Sequence, residues 1–127
     1  MSILYVVGLG PGDYESMSIK ADKTLRQCET IVGYHVYIDL IKERYTDKKI
    51  ITTPMTREAE RCRLALEEAR AGRVTAMVCS GDSGIYGMAA LLYELRGAEN
   101  EPEIVVIPGL TAACSGGAIL GAPLTHD

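Results

Sequence analysis

Apolar residues recur along this chain in two rhythms. Five short, nearly unbroken runs read as strands: Ile3 to Val7, Thr30 to Gly33, Lys49 to Thr53, Val74 to Cys79 and Glu103 to Ile107. Between them the spacing turns helical. A helix capped by Ser16 or Ser18 would carry Met17, Ala21, Leu25 and Cys28 on one face. A second is expected over Val36 to Arg44. A third, from Arg57 to Ala71, is expected to be capped by Thr56 and stopped by Gly72, with Ala59, Cys62, Leu66 and Ala69 as its inner stripe. Met88 to Leu95, stopped by Gly97, and Thr111 to Leu120 complete the set. Strand and helix thus alternate five times, which predicts an α/β fold: a five-stranded, mostly parallel sheet with helices on both faces. The continuous apolar runs fit strands buried on both sides.

In sheets of this kind ligands bind outside the carboxyl ends of the strands. The unusual loops of this chain all follow strands. Gly8-Leu9-Gly10-Pro11-Gly12-Asp13 comes after the first, Gly33-Tyr34-His35-Val36-Tyr37 after the second, Ser80 to Gly87 after the fourth, and Pro108 to Ala113 after the fifth. The first is no dinucleotide fingerprint, because Asp13 stands where a third glycine is expected and Pro11 removes a backbone donor. It reads either as a tight turn or as the wall of a cleft that needs close backbone approach. In the third loop, Asp82 is open to two readings, a helix cap or a ligand contact. Thr111 is a natural cap for the last helix. Tyr34, His35 and Tyr37 offer stacking surface and an imidazole, a group that titrates near neutral pH, though such a histidine also commonly just starts a helix.

Composition narrows the classes. The chain has 127 residues, 47% of them hydrophobic and 24% charged, enough apolar surface for one folded domain and too much for a disordered chain. A net charge of -4 with interleaved signs argues against a nucleic-acid partner. Cys28, Cys62, Cys79 and Cys114 form no C-x-x-C pair, so buried reduced thiols are expected and no metal site. The opening residues lack a basic leader, which points to the cytoplasm. Ile104 to Thr125 carries no charge, yet its prolines and glycines read as a strand, a turn and a small-residue helix, and not as a membrane span. An uncharged final third should be covered by a further domain or a second copy, and a homodimer is expected. Lys20, Arg26, Arg57 and Arg61 are basic groups on helices, a pattern that usually marks solvated faces.

Taken as a set, Val7 to Asp13, Ser80-Gly81-Asp82 with Ile85-Tyr86-Gly87, and Ile107 to Ala112 resemble the tetrapyrrole methylase family in order and spacing. Ile31 to Ile41, Gly81 to Ala89 and the tail Gly121-Ala122-Pro123-Leu124 with His126-Asp127 are similar to its precorrin-3B C(17)-methyltransferase branch. The resemblance covers the N-terminal domain of that family, whose members carry a second α/β domain with the cofactor in the cleft between the two. It implies S-adenosylmethionine as cofactor and methyl transfer to ring carbon 17 of precorrin-3B or its cobalt form, with ring contraction, in cobalamin biosynthesis. Carried over by position, Pro11, Gly81, Asp82, Ile85, Thr111 and Ala112 would contact the cofactor. Gly8, Gly10, Gly12, Asp13, Tyr34 and Tyr37 would border the tetrapyrrole. His35 stands where siroheme-forming members carry an aspartate proton acceptor, and is the expected base. Lys20, Arg26, Arg57 and Arg61 would be candidates to meet the substrate's carboxylates. Another tetrapyrrole methylase or a diphthine synthase is the alternative within the family, against which the Gly33-Tyr34-x-x-Tyr37 run speaks. A noncatalytic small-ligand module is the alternative outside it.

Overall fold

The computed structural model describes residues 2–80 and 88–110. Five strands, β1 (Ile3–Gly8), β2 (Thr30–Tyr34), β3 (Lys49–Thr53), β4 (Thr75–Cys79) and β5 (Glu103–Ile107), form one sheet in the order β3-β2-β4-β1-β5. Every pairing is parallel, so the sheet is wholly and not merely mostly parallel. Its register sets Gly8 beside Cys79 and Tyr34 beside Thr53, which aligns the carboxyl ends of β1 with β4 and of β2 with β3.

Side chains alternate between two cores, as the two-residue period of a strand requires. Val7, Ile31, Ala76, Val78 and Ile107 face one core, which α1 (Ile19–Gln27) and α2 (His35–Ile41) close with Ala21, Leu25, Ile38 and Ile41. Leu4, Val6, Val32, Met77, Cys79 and Ile104 face the other, closed by α3 (Glu58–Arg70) and α4 (Ala89–Arg96) through Cys62, Ala65, Leu66, Ala69 and Leu92. The expected α/β class with helices on both faces is what forms.

Connections that step toward β3 run over the first face, and those that step back toward β5 run over the second. The direction reverses at the edge strand β3, and the returning chain places β4 between β2 and β1. The helices that follow β1 and β4 pack on opposite faces of the sheet, so these two neighbouring strand ends mark a change of face. This is the topological switch point where α/β sheets take their ligands.

Local chemistry explains most boundaries. Ser18 caps α1, its hydroxyl accepting from the Ala21 N–H at 3.0 Å. Ser16 instead ends a single 3-10 turn over Tyr14–Ser16. Cys28 is the C-cap of α1 and packs with Met17, Ala21 and Leu25 in one core. α2 is shorter than its apolar pattern suggests. After Ile41 the chain tightens into a turn, with Arg44 N–H bonding to the Ile41 carbonyl at 2.9 Å. This delivers Tyr45 to the core, where its hydroxyl donates to Asp22 at 2.7 Å.

Thr56 does not cap α3. Its φ of +67° turns the chain, its hydroxyl bonds to the Met55 carbonyl, and the helix begins at Glu58. The inner stripe of α3 also differs: Ala59 is half-buried, while Arg61 and Ala65 join Cys62, Leu66 and Ala69 inside. Cys28, Cys62 and Cys79 are buried, and burial is the chief cause that pushes the Cys28 thiol up to about 11 and the Cys62 thiol to about 12. Cys114 lies outside the described residues. Ile104 to Ile107, the start of the uncharged stretch, belongs to β5, and no helix among the described residues is long and apolar enough to cross a membrane.

Candidate functional site

The loop after β1 is held against its neighbours by its own backbone. Leu9 N–H extends the ladder onto the Cys79 carbonyl at 2.8 Å. Gly10 then adopts φ +66°, and a β-carbon there would lie 3.1 Å from the Ser16 carbonyl oxygen and 3.6 Å from the Leu110 nitrogen. Gly12, at φ +106°, leaves room for Leu40 of α2, whose Cδ1 would stand 2.6 Å from an added β-carbon. Left-handed backbone and close approach both exclude larger residues at these two positions. The result is a convergence: the loop after β1 touches the loop after β5 through Leu110 and the helix after β2 through Leu40.

Gly8, Gly10 and Gly12 are buried, while Pro11 and Asp13 are exposed. Asp13 caps the short 3-10 turn, one carboxylate oxygen accepting from the Ser16 N–H at 3.2 Å. Pro11 offers no N–H, so the loop cannot form the phosphate nest of a nucleotide site.

The end of β2 carries an aromatic cluster. Tyr34 meets His35 edge-on at 4.7 Å between ring centroids and Tyr37 at 5.2 Å. Both geometries are favoured by the ring quadrupoles. Tyr34 and Tyr37 are half-buried, whereas His35, the first residue of α2, is exposed and accessible to a ligand above the sheet. The expected grouping of these three side chains at one strand end is therefore present.

Arg61 completes this rim from below. It is only 5% exposed. Its Nε donates to Thr53 Oγ1 at 2.6 Å and an Nη2 N–H to the Pro54 carbonyl at 3.3 Å, tying α3 to the end of β3. Its guanidinium carbon lies 5.7 Å from the Tyr34 ring centroid, within cation–π range. Of the four basic residues noted in the sequence, Lys20, Arg26 and Arg57 are exposed, and Arg26 and Arg57 pair with Asp22 and Glu60. Arg61 alone among them is inside. The signal was its spacing: Arg61, Ala65 and Ala69 repeat every four residues along the apolar stripe, so Arg61 continues a buried row.

The structure thus brings together Gly8, Gly10, Pro11, Gly12, Asp13, Tyr34, His35 and Tyr37 at the carboxyl rim. Gly81, Asp82, Ile85, Thr111 and Ala112 lie outside the described residues, as does the expected helix over Thr111 to Leu120. Among the described residues, no group of three or more His, Cys, Asp or Glu side chains converges as a metal site would require.

Comparison with known proteins matches this geometry. A "Probable cobalt-factor III C(17)-methyltransferase" of Salmonella typhimurium is 45% identical over 126 residues, covering 98% of this chain and 52% of the relative. A "Cobalt-factor III methyltransferase" of Priestia megaterium is 41% identical over 129 residues, 98% of this chain and 24% of the relative. The chain therefore spans about half, or less, of the length of these curated relatives. Among solved structures, the methyltransferase CobJ superposes with a TM-score of 0.90 at 35% identity, over 100% of this chain and 54% of that one. A uroporphyrin-III C-methyltransferase of Thermus thermophilus in complex with S-adenosyl homocysteine gives a TM-score of 0.71 at 29% identity, over 98% and 53%. The family model for tetrapyrrole (corrin/porphyrin) methylases matches residues 3–127, and the chain belongs to that family.

Proposed function

We propose that the complete gene product is an S-adenosylmethionine-dependent C-methyltransferase of cobalamin biosynthesis, acting at ring carbon 17 of the precorrin-3B skeleton with ring contraction. The observation that carries this reading is the gradient of identity. It stands at 45% to the Salmonella relative, whose name includes C(17), and at 35% to CobJ. It falls to 27% for a cobalt precorrin-4 methyltransferase and 29% for the Thermus uroporphyrin-III enzyme. The names of the Salmonella and Priestia relatives both specify cobalt-factor III, which favours the cobalt form of the macrocycle as substrate.

The described rim suits such a cofactor. S-adenosylmethionine carries no phosphate, and the loop after β1 has no phosphate nest. Of the proposed cofactor contacts, Pro11 lies on this loop. When bound, the cofactor supplies the methyl group as a sulfonium. The chain's own residues orient the acceptor and handle the proton. Gly8, Gly10 and Gly12, buried within the loop, hold it in the shape that borders the macrocycle, Asp13 flanks it, and Tyr34 and Tyr37 pack against it. His35, exposed at the start of α2 and braced by the edge of Tyr34, accepts the proton at an imidazole nitrogen. We further propose that the active species is a homodimer.

Calorimetry with S-adenosylhomocysteine tests this on two samples, residues 1–127 alone and the complete gene product. Binding by the complete product with little or none by residues 1–127 is expected, because family members hold the cofactor between two domains. Binding by neither would remove the methyltransferase reading.

A further inference from the structure

We propose that Arg61 is a binding residue for one carboxylate of the substrate, which enters a small cavity beneath the aromatic cluster. The cavity has a volume of about 160 Å³ and is lined by Tyr37, Glu58, Arg61, Cys79, Ser80 and Met88. That is roughly five times the ~30 Å³ share of a liquid water, room for a carboxylate on a short arm and too little for the macrocycle itself.

The case rests on an imbalance of charge. A guanidinium buried to this degree loses most of its hydration, a cost normally offset by a carboxylate. Among the described residues none pairs with it. Its partners are a hydroxyl, a carbonyl, the Met88 sulfur at 3.3 Å from Nη1, and the face of Tyr34. Thioether sulfur is a weak acceptor. A guanidinium has five N–H donors, and these contacts occupy three. One N–H on each terminal nitrogen is left to donate to a carboxylate. Glu58 lines the outer wall of the cavity but is exposed and forms no ion pair with Arg61.

Position supplies the second argument. Thr53 and Pro54 mark the end of β3, Tyr34 the end of β2, and Cys79 the end of β4. The fixed cation therefore sits at the same rim as His35 and Tyr37. A carboxylate arm seated on Arg61 would fix the macrocycle relative to those side chains. That the anion is a substrate arm rests on the function proposed above; that Arg61 binds a carboxylate does not.

The test uses the complete gene product. Sodium propionate, titrated against sodium chloride at equal ionic strength, should move the Arg61 Nε–H resonance saturably. Arg61→Met should abolish the response at Tyr37 and Ser80 amides, and Arg61→Lys should weaken binding roughly tenfold, because a point charge lacks the guanidinium's planar set of donors. In methyl-transfer assays Arg61→Met should raise KM for the tetrapyrrole roughly tenfold or more, the loss typical of a buried charge-assisted contact, with KM for S-adenosylmethionine unchanged. No saturable shift in the wild type, or an equal response in Arg61→Met, overturns the proposal. So does a KM change shared by both substrates, which marks a purely structural clamp. Should Arg61→Met fail to fold, the wild-type titration and Arg61→Lys decide. Absence of methyl transfer in the wild type would count against the proposed function and leave the propionate result standing.

Discussion

The two rims of the sheet treat charge in opposite ways. At the amino ends of the strands, Glu68 accepts from Thr30 at 3.1 Å and pairs with Lys49 at 3.2 Å and Arg73 at 3.5 Å. Glu29 accepts from the Val74 N–H at 3.3 Å in the same region. These groups satisfy one another, and they stitch α3 to the starts of β2, β3 and β4. At the carboxyl ends, Arg61 projects from the same helix, is more deeply buried than Glu68, and meets no carboxylate among the described residues. One helix thus carries a charge at each end of the sheet, closed at one rim and open at the other. An interaction complete within the chain serves the fold. A cation left without its counter-charge is kept at a cost to stability, and the rim where that cost is carried is the one lined by the glycine loop and the aromatic cluster.

The largest expected effect breaks the open rim outright. Gly33 lies in β2 under α2, and an added β-carbon would stand 2.6 Å from Val78 Cγ2 and 3.1 Å from Ile38 Cδ1. Gly33→Val should destabilise the fold by about 2–3 kcal/mol, the usual range for overpacking a filled core. Because Ile38 belongs to α2, the helix that starts with His35, methyl transfer should fall further than the loss of folded protein explains. Denaturant midpoints and activity per folded molecule check both parts. Retained activity per folded molecule would mean that α2 does not set the geometry of the rim.

Glu68→Ala sharpens the comparison from the closed side. The lost hydrogen bond to Thr30 is worth about 1 kcal/mol. The contacts to Lys49 and Arg73 add less, since those side chains are 53% and 43% exposed and screened by water. A loss of about 1–2 kcal/mol is expected in chemical denaturation, with KM for both substrates unchanged. Arg61→Met should give the reverse pattern, a substrate effect with little change in stability. If the two variants behave alike, the rims do not differ in kind.

Much of this architecture is legible in the chain. The strands are apolar runs because both faces of a parallel sheet are covered, and their ends point to the loops that converge through Gly10, Gly12, Leu40 and Leu110. Strand order is not legible, because the insertion of β4 between β2 and β1 depends on contacts between segments far apart in sequence. Thr56 reads as a cap because a hydroxyl one residue before a helical run is the ordinary one, and its left-handed backbone leaves no local signature. Arg61 reads as one more solvated base because charge usually outweighs position in a helical pattern. Its burial depends on Met88, Thr53 and Pro54, which only the tertiary fold brings to it. Asp82 and Thr111, the residues on which the cofactor assignment most depends, lie outside the described residues.

The smallest expected effect separates the rims by pH. Burial tends to raise the Glu68 carboxyl, but hydrogen bonds from Lys49 and Thr30 and the charge of Arg73 outweigh it and hold the group below its ordinary value of 4.5. A carboxylate lowered in the folded state adds stability that is complete above that ordinary value and is lost as pH falls through the folded one. The stability gap between wild type and Glu68→Gln should therefore be constant from pH 7 to about 5 and narrow on further acidification. For Arg61→Met the same series should stay flat, because no carboxylate among the described residues pairs with Arg61. A hidden carboxylate on Arg61 would be released by the substitution, its protonation would move upward, and the gap would close in acid as it does for Glu68. Denaturation midpoints of the three proteins between pH 3 and 7 thus decide whether the buried cation at the carboxyl rim is open to a ligand or already paired within the protein.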